Sequence, residues 1–419
     1  MRDIEAAAEG RPRATVTAMA PSARPRLHAP HPQSVTFVEL FFDLVFVFAV
    51  TQLTILTAHD LTVDGVLRAT VLFWLIWWAW TQFTWTLNPA DTNHPIVRVV
   101  TLIATAFAFV MAASVPRALA DDALWFAAPY LIVRLLGLGL QVQVDLERID
   151  GERTGIWVWA GLSGVGLAIV LAGAILDPSI RPLVWAVAIL ADLVATQFAG
   201  RRTWDIHAAH LAERHGLFVI IALGESLIVA GTAVAAETRT LELVAAAGGA
   251  LLVACLLWWT YFGWFKEALE DRLASAGPQR VGQFARDAYS LAHFPMLGGI
   301  IGFAVAIEEI VAHPDGPAHG EVVAALGVGV ALFVGFSAVC YWRLTGRVLV
   351  PRLVLLGIMA VLLALVAPLA PVWPLAVVSA VLIAIVLVEA VHPEAVEEPH
   401  ADASVPVRVG RPVRNRTAP

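Results

Sequence analysis

The sequence predicts an all-α fold, a polytopic membrane helix bundle of about 12 transmembrane helices. Hydrophobic residues make up 59% of its 419 residues, charged residues make up 15%, and the mean hydropathy is +0.76. Soluble domains contain about 45–50% apolar and about 25% charged residues, so this composition indicates that lipid covers much of the surface. The formal charge of −7 comes without a basic patch, which argues against a nucleic-acid partner and leaves the lipid bilayer as the expected one.

Twelve apolar stretches have the roughly 20 residues that a transmembrane helix requires. The first six cover residues 36–57, 66–87, 97–116, 123–142, 155–176 and 182–200. The other six cover residues 213–236, 241–264, 282–309, 321–342, 351–370 and 373–391. Residues 1–34 and 392–419 are rich in proline and arginine and contain no long apolar run, so we expect disordered tails on either side of a bundle spanning 35–391.

The basic residues orient the bundle, because cytoplasmic loops collect Lys and Arg. If both tails lie inside, only Arg68, Arg117, Arg181 and Arg239 of the 27 Lys and Arg residues face outside, while Arg134 lies within a span. A wrong helix count would scramble this alternation. The sequence therefore predicts that both termini are cytoplasmic.

The bundle divides into residues 35–200 and 201–391, each with six spans, and one interpretation is that these are repeats. The aromatic cluster at residues 77–85 in the second span resembles that at 258–264 in the eighth. Six helices per half would leave both copies in the same orientation, related by an axis along the membrane normal. The alternative is that aromatic residues at two membrane interfaces look alike.

Ionisable residues within the spans are the main clue to function, because each costs at least ~2.5–3.5 kcal/mol at a helix centre. In the first span, Glu39 and Asp43 lie one turn apart on a face that also carries Thr36, Thr54 and Thr57. Two carboxylates this close repel each other when both are ionised, so one holds a proton or the pair binds a cation. The pattern indicates a proton or cation site.

A buried basic residue needs a partner of opposite charge. Arg134 of the fourth span shares a face with Tyr130 and Gln141 near mid-membrane, and Asp192 of the sixth span lies at a similar depth. We expect Arg134 to pair with Asp192 or with an anionic solute. The alternative for every such residue is a structural ion pair that sets the register of two helices.

The seventh and ninth spans add further polar faces. Glu225 is the most deeply placed acid, and Gly224 beside it would let another helix or an unwound segment approach closely. In the ninth span, Arg286 and His293 share a face, and Pro295 should kink the helix and free a carbonyl group near His293. Transporters bind their solutes at such broken helices near the midplane.

No motif predicts a metal site, a cofactor or a catalytic centre. Residues 201–216 contain three histidines, but without HExxH or HxxxH spacing. P-loop, nucleophile-elbow and dinucleotide-binding patterns are missing from strand-to-helix contexts. We therefore expect no cofactor, no bound metal and no enzyme activity.

Three segments resemble the bacterial low temperature requirement A family of membrane proteins. They read VTFVELFFDLVFVFAVTQL from residue 35, WTQFTWTLNPADT from residue 80 and ERHGLFVIIALGESLIVAG from residue 213. The positions that match the family's motifs include Glu39, Asp43, Gln52, Glu213, Arg214 and Gly224. The resemblance extends over about residues 35–390 and implies a multi-pass protein of the bacterial plasma membrane that is linked to growth in the cold, without a settled substrate.

Three functions are compatible with these features. The preferred one is a proton- or ion-coupled secondary transporter of a small solute, in which Glu39, Asp43 and Glu225 handle the ion and Arg134 or Arg286 is an anion or counter-ion partner. The second is a membrane sensor or cold-adaptation factor that moves no solute and uses its buried charges to set helix register. The third is an intramembrane enzyme acting on a lipid, with residues 207–215 near the headgroups.

Overall fold

The computed structural model describes residues 26–29, 33–147, 153–199, 204–236, 240–314 and 318–391, and its regular elements there are all helical. Twelve long helices coincide with the twelve predicted spans, and a short helix, Phe265–Ala274, lies between the eighth and ninth. The long helices are α1 (Phe37–Ala58), α2 (Val63–Leu87), α3 (Pro95–Ala113), α4 (Ala123–Leu146), α5 (Arg153–Ile175), α6 (Arg181–Ala199), α7 (Ala208–Ala236), α8 (Leu241–Phe262), α9 (Val281–Ala312), α10 (Gly320–Thr345), α11 (Val350–Val366) and α12 (Val372–Val391).

Ten helices among the described residues are long and apolar enough to cross a membrane. Of the twelve long helices, α6 and α11 fall outside that set, and α11 has only 17 residues. Both nevertheless pack within the bundle, α6 against α5 and α11 against α12. The chain is therefore a polytopic helical membrane protein, as its composition predicts.

Local signals set the helix ends. Thr62 and Thr240 cap α2 and α8, each accepting a hydrogen bond at 3.2 Å from a backbone N–H three residues further on. At the start of α1, the backbone N–H and hydroxyl of Thr36 donate to Glu39 Oε2 at 2.9 and 2.8 Å. Gly346 ends α10 with a φ of 74°, which lets the chain turn at once into α11.

The first third of α9 is irregular. Residues Ala285–Leu291 form a π-helix, and the regular α-helix resumes only at His293–Ala312. The predicted disruption near Pro295 is therefore present, but it lies on the N-terminal side of the proline, since proline has no N–H to donate to the preceding turn. Side chains of other helices bind carbonyl groups in this stretch.

The same helix contacts occur in both halves of the bundle. In each half the first helix contacts the second and third, the second contacts the fourth and sixth, and the third to sixth pack in sequence. This correspondence supports the interpretation of residues 35–200 and 201–391 as repeats, which remains a prediction. The halves meet where α1 and α2 contact α7 and α9.

The aromatic clusters of α2 and α8 differ in their surroundings. Trp77 and Trp80 of α2 are 1% and 0% exposed and lie in the protein core. Trp258 and Trp259 of α8 are 42% and 54% exposed on the outer surface. The cluster in α2 is therefore a packing element rather than an interfacial belt, and only that in α8 fits the belt interpretation.

Part of the predicted N-terminal tail is ordered. Residues 26–29 and 33–34 lie among the described residues, and the backbone N–H groups of Leu27 and His28 donate to Glu147 Oε2 at 2.6 and 3.1 Å. This segment crosses the end of the bundle at which α1 begins. The rest of the tail and residues 392–419 lie outside the described residues.

Candidate functional site

Glu39 and Asp43 of α1 face His210 and Arg214 of α7, and we call these four side chains the carboxylate cluster. Each is at most 1% exposed. His210 Nε2 lies 3.0 Å from Glu39 Oε1, and Arg214 Nη1 lies 3.5 Å from the same oxygen. Arg214 Nη2 donates to Asp43 Oδ1, which also accepts from Trp80 Nε1 at 2.7 Å. The cation expected beside the two carboxylates is thus the protein's own guanidinium.

Asn88, which follows α2, determines which nitrogen of His210 holds the proton. Asn88 Oδ1 accepts from the backbone N–H of His207 at 2.8 Å, so its Nδ2 is the atom that lies 3.3 Å from His210 Nδ1. An amide nitrogen only donates, which makes His210 Nδ1 the acceptor and places the ring proton on Nε2, facing Glu39. In this arrangement the imidazole is neutral.

The carboxylate cluster is one proton short of neutrality. Two carboxylates face one guanidinium, and the neutral imidazole adds no charge. An uncompensated charge in a buried site costs several kcal/mol, so a proton on either carboxyl group stabilises the cluster. Asp43 Oδ2 has no hydrogen-bond partner among the described residues and is free to take that proton.

Arg134 and Asp192 form a second buried pair, between α4 and α6. Arg134 Nη2 lies 3.1 Å from Asp192 Oδ1, and Nη1 lies 3.4 Å from Oδ2 and 2.8 Å from the hydroxyl oxygen of Tyr130. The structure thus places these two side chains together, in the geometry expected from their depth. Their charges cancel, so Arg134 has no need of an anionic solute for neutrality.

A cavity of about 60 Å³ lies beside the Arg134–Asp192 pair. Its walls come from α2, α4, α5 and α6, from Trp204 before α7, and from the irregular start of α9. Arg286 and Ser290 are among its lining residues. Polar groups and indole rings from both halves of the bundle therefore line one cavity.

Arg286 is already paired. Its Nε donates to Asp287 Oδ1 at 2.7 Å, and Asp287 Oδ2 accepts from Arg343 Nε of α10 at 2.6 Å. Arg286 Nη1 also lies 3.3 Å from Gln197 Oε1 of α6. The π-helix thereby presents Arg286 toward the first half and Asp287 toward the second.

His293 forms a hydrogen bond with the irregular backbone of α9. Its Nδ1 donates to the carbonyl of Ala288 at 2.8 Å, so its Nε2 accepts from the hydroxyl of Tyr261 at 2.9 Å. Cys340 Sγ lies 3.3 Å from the same carbonyl oxygen. The role of His293 that the geometry supports is to satisfy a carbonyl group of the π-helix.

The remaining predicted residues lie apart from these groups. Glu225 is 11 residues beyond Arg214 on α7, roughly 16 Å along the axis, and is half-buried without a hydrogen bond or ion pair to another described residue. A Cβ atom on Gly224 would meet nothing within 4 Å, so the predicted close approach there is wrong. Gln52 is half-buried on α1, and Glu213 Oε2 accepts the backbone N–H of Val35 at 3.2 Å.

Sequence reasoning missed a third buried pair, Arg352 of α11 with Glu389 of α12. The two are 1% and 8% exposed, and Arg352 Nε lies 2.6 Å from Glu389 Oε1. Both residues stand near helix ends, where a charged side chain in the sequence gives no sign of burial. It also missed Trp80 and Asn88 as partners of the carboxylate cluster, although both belong to the second motif, at residues 80–92.

The chain matches known proteins over most of its length. The family model described as bacterial low temperature requirement A protein (LtrA) matches residues 34–387. A protein of Rhizobium meliloti (strain 1021), itself described as uncharacterized, is 30% identical over 299 residues, covering 67% of this chain and 70% of that protein. No solved structure shows a significant match. The chain therefore belongs to the bacterial low temperature requirement A family of membrane proteins.

Proposed function

We propose that this protein is a proton-coupled secondary transporter of a small solute, located in the bacterial plasma membrane with both termini in the cytoplasm. The observation that carries the proposal is the carboxylate cluster, a solvent-excluded group that is one proton short of neutrality. The distribution of Lys and Arg supports the orientation. Buried carboxylates that exchange protons are a recurrent element of pumps and transporters.

The position of the cluster gives proton exchange a mechanical consequence. Glu39 and Asp43 belong to the first half of the bundle, whereas His210 and Arg214 belong to the second. A proton on Asp43 removes the negative charge that attracts Arg214, and its release restores that attraction. Protonation therefore changes the relative free energy of two packings of the halves, which is the requirement for driving solute movement with a proton gradient.

Helix α2 connects this proton site to the cavity. Trp80 donates to Asp43, while the next two residues, Thr81 and Gln82, line the cavity. A shift of this turn of α2 would therefore alter both sites together. This arrangement supports the cavity as the place where the solute binds.

Proton-coupled flux can be tested in liposomes that contain the purified protein and a trapped pH indicator. Solutes from a panel of amino acids, organic acids, amines and sugars are added outside, with the membrane potential clamped. We expect at least one solute to acidify or alkalinise the lumen. Asp43→Asn should abolish that signal, because an amide cannot take up the proton, while Asp177→Asn in an exposed loop should leave it unchanged.

The competing functions make different predictions in the same experiment. A sensor or cold-adaptation factor would show no solute-dependent pH change in the unaltered protein. An enzyme acting on a lipid would show turnover of lipid instead. A signal that Asp43→Asn leaves intact would contradict the role of the carboxylate cluster.

A further inference from the structure

The cavity beside Arg134 has a lining that restricts what it can bind. Four indole side chains, those of Trp78, Trp85, Trp159 and Trp204, contribute to its wall. Trp204 meets Trp85 and Trp159 edge-to-face, with ring centroids 4.9 and 6.3 Å apart. An indole ring attracts cationic groups that approach its face.

Each charged side chain of the lining has a counter-ion, although Asp287, the counter-ion of Arg286, also pairs with the partly exposed Arg343 outside the lining. Arg134 pairs with Asp192, and Arg286 pairs with Asp287. A ligand with a net charge would therefore add a charge to a mostly apolar cavity, at a cost of several kcal/mol. The lining favours a ligand without net charge.

Three buried polar atoms on lining residues lack a hydrogen-bond partner among the described residues. Arg134 Nε is a donor on a cationic group, and Gln82 Oε1 is an acceptor. The orientation of the Gln82 amide follows from its Nε2, which donates to the carbonyl of Arg134 at 3.1 Å. The third atom, Thr81 Oγ1, can donate or accept. An unpartnered cationic donor and an unpartnered acceptor therefore belong to residues that line the same cavity.

We infer that this cavity binds a small zwitterion of the amino acid type. Its carboxylate accepts from Arg134 Nε, and its ammonium group donates to Gln82 Oε1 and lies against the indole faces. A volume of about 60 Å³ admits roughly four to six water-sized groups, so the ligand is of glycine size rather than an amino acid with a large side chain. The role of this zwitterion as the transported solute rests on the transporter proposed above, but its binding to the cavity can be measured separately.

Binding is tested by thermal unfolding of the full-length protein in detergent. Glycine is compared at equal concentration and ionic strength with acetate, which has only the anionic group, and with methylammonium, which has only the cationic group. We expect glycine to raise Tm and each single-charge analogue to raise it far less, because a ligand that binds the native state stabilises it in proportion to ln(1 + [L]/Kd). Tryptophan, which exceeds the cavity, should produce no shift.

A matched pair of variants locates the site. Gln82→Leu removes the free acceptor and should raise the Kd for glycine roughly ten- to hundredfold, the usual effect of losing a hydrogen bond to a charged group. Gln143→Leu, an exposed position on α4, should leave the Kd unchanged. Thr81→Val is a smaller change in the same wall, and its Kd for glycine provides a second test if Gln82→Leu fails to fold.

The outcomes separate the binding proposal from the transport proposal. The inference is overturned if glycine produces no shift, if acetate or methylammonium matches it, or if neither wall variant alters the Kd. Glycine binding without solute-driven proton movement would support the zwitterion site and contradict the transporter. Proton movement driven by another solute, without glycine binding, would support the transporter and contradict the zwitterion site.

Discussion

Two buried arginines, Arg214 and Arg352, have similar surroundings and differ in how their charge is balanced. Each lies over an indole ring, Arg214 at 5.6 Å from the centroid of Trp80 and Arg352 at 5.2 Å from that of Trp264. In each case that tryptophan also donates to the carboxylate that the arginine contacts. The difference is that Arg352 meets one carboxylate, Glu389, whereas Arg214 meets two.

The balanced pair is fully satisfied. Arg352 donates to both oxygens of Glu389, to the hydroxyl of Ser337 and to the carbonyl of Thr260, at 3.0 Å for the last. The carboxylate cluster instead leaves Asp43 Oδ2 and Arg214 Nε without partners among the described residues. Burial alone therefore does not distinguish the proposed proton site from a structural ion pair in this bundle, whereas an unmatched charge and an unused polar atom do.

The largest expected effect comes from breaking the balanced pair. Arg352→Met leaves Glu389 buried without a counter-charge, and we expect a loss of about 3–5 kcal/mol in the free energy of unfolding. Adding Glu389→Leu should recover most of that loss, because an apolar pair can replace a buried ion pair at little cost. Denaturant titration of the single and double variants in detergent measures both. If the double variant stays as unstable as the single one, the pair does more than hold four helices together.

A smaller effect is expected from Asn88→Ala. The change leaves the backbone N–H and carbonyl of His207 and the Nδ1 atom of His210 without their partner, and we expect a loss of about 1–3 kcal/mol in the free energy of unfolding. Asn93→Ala in the same loop is the matched control, since Asn93 is exposed and binds only Arg98 and Asp91 nearby. Equal losses in the two variants would show that Asn88 does not organise His210.

Asp43→Asn should separate stability from proton exchange. The amide oxygen can still accept from Arg214 and Trp80, and the amide nitrogen replaces an oxygen that has no partner. Since the change also removes the excess negative charge, we expect the free energy of unfolding to stay equal or to rise by about 1 kcal/mol. Thermal unfolding together with the liposome assay checks this. A loss of several kcal/mol would mean that the carboxylate cluster is a structural pair like Arg352–Glu389.

The sequence predicts the architecture well because the bilayer imposes it. A helix must be apolar over a fixed length, so the spans can be read from composition, and the twelve long helices fall where those stretches lie. The depth of a residue in the membrane can also be read from its position in a span, which is why the sequence predicts the Arg134–Asp192 pair. Which faces of distant helices meet is not encoded in spacing, so the contact of Asp43 with Arg214 could not be derived.

The error at Gly224 has the same origin. Gly224 was expected to allow a close helix approach, but the approach occurs at Gly299 of α9 and Gly329 of α10, where a Cβ on Gly299 would lie 2.4 Å from the carbonyl oxygen of Gly329. A small residue permits close packing, yet only the tertiary arrangement decides which small residues are used. The tautomer of His210 likewise depends on Asn88, which is 122 residues away in sequence.

The smallest expected effect concerns Glu225, which sequence reasoning placed among the ion-handling residues. Its half-buried carboxylate has no charged partner among the described residues and lies roughly 16 Å along α7 from Arg214. We therefore expect Glu225→Gln to change the free energy of unfolding by no more than about 0.5 kcal/mol and to leave solute-driven proton movement intact. Measured beside Asp43→Asn in the same liposomes, a loss of flux in Glu225→Gln would place the proton pathway through the middle of α7. It would also mean that proton handling extends beyond the unmatched charge at the junction of the halves.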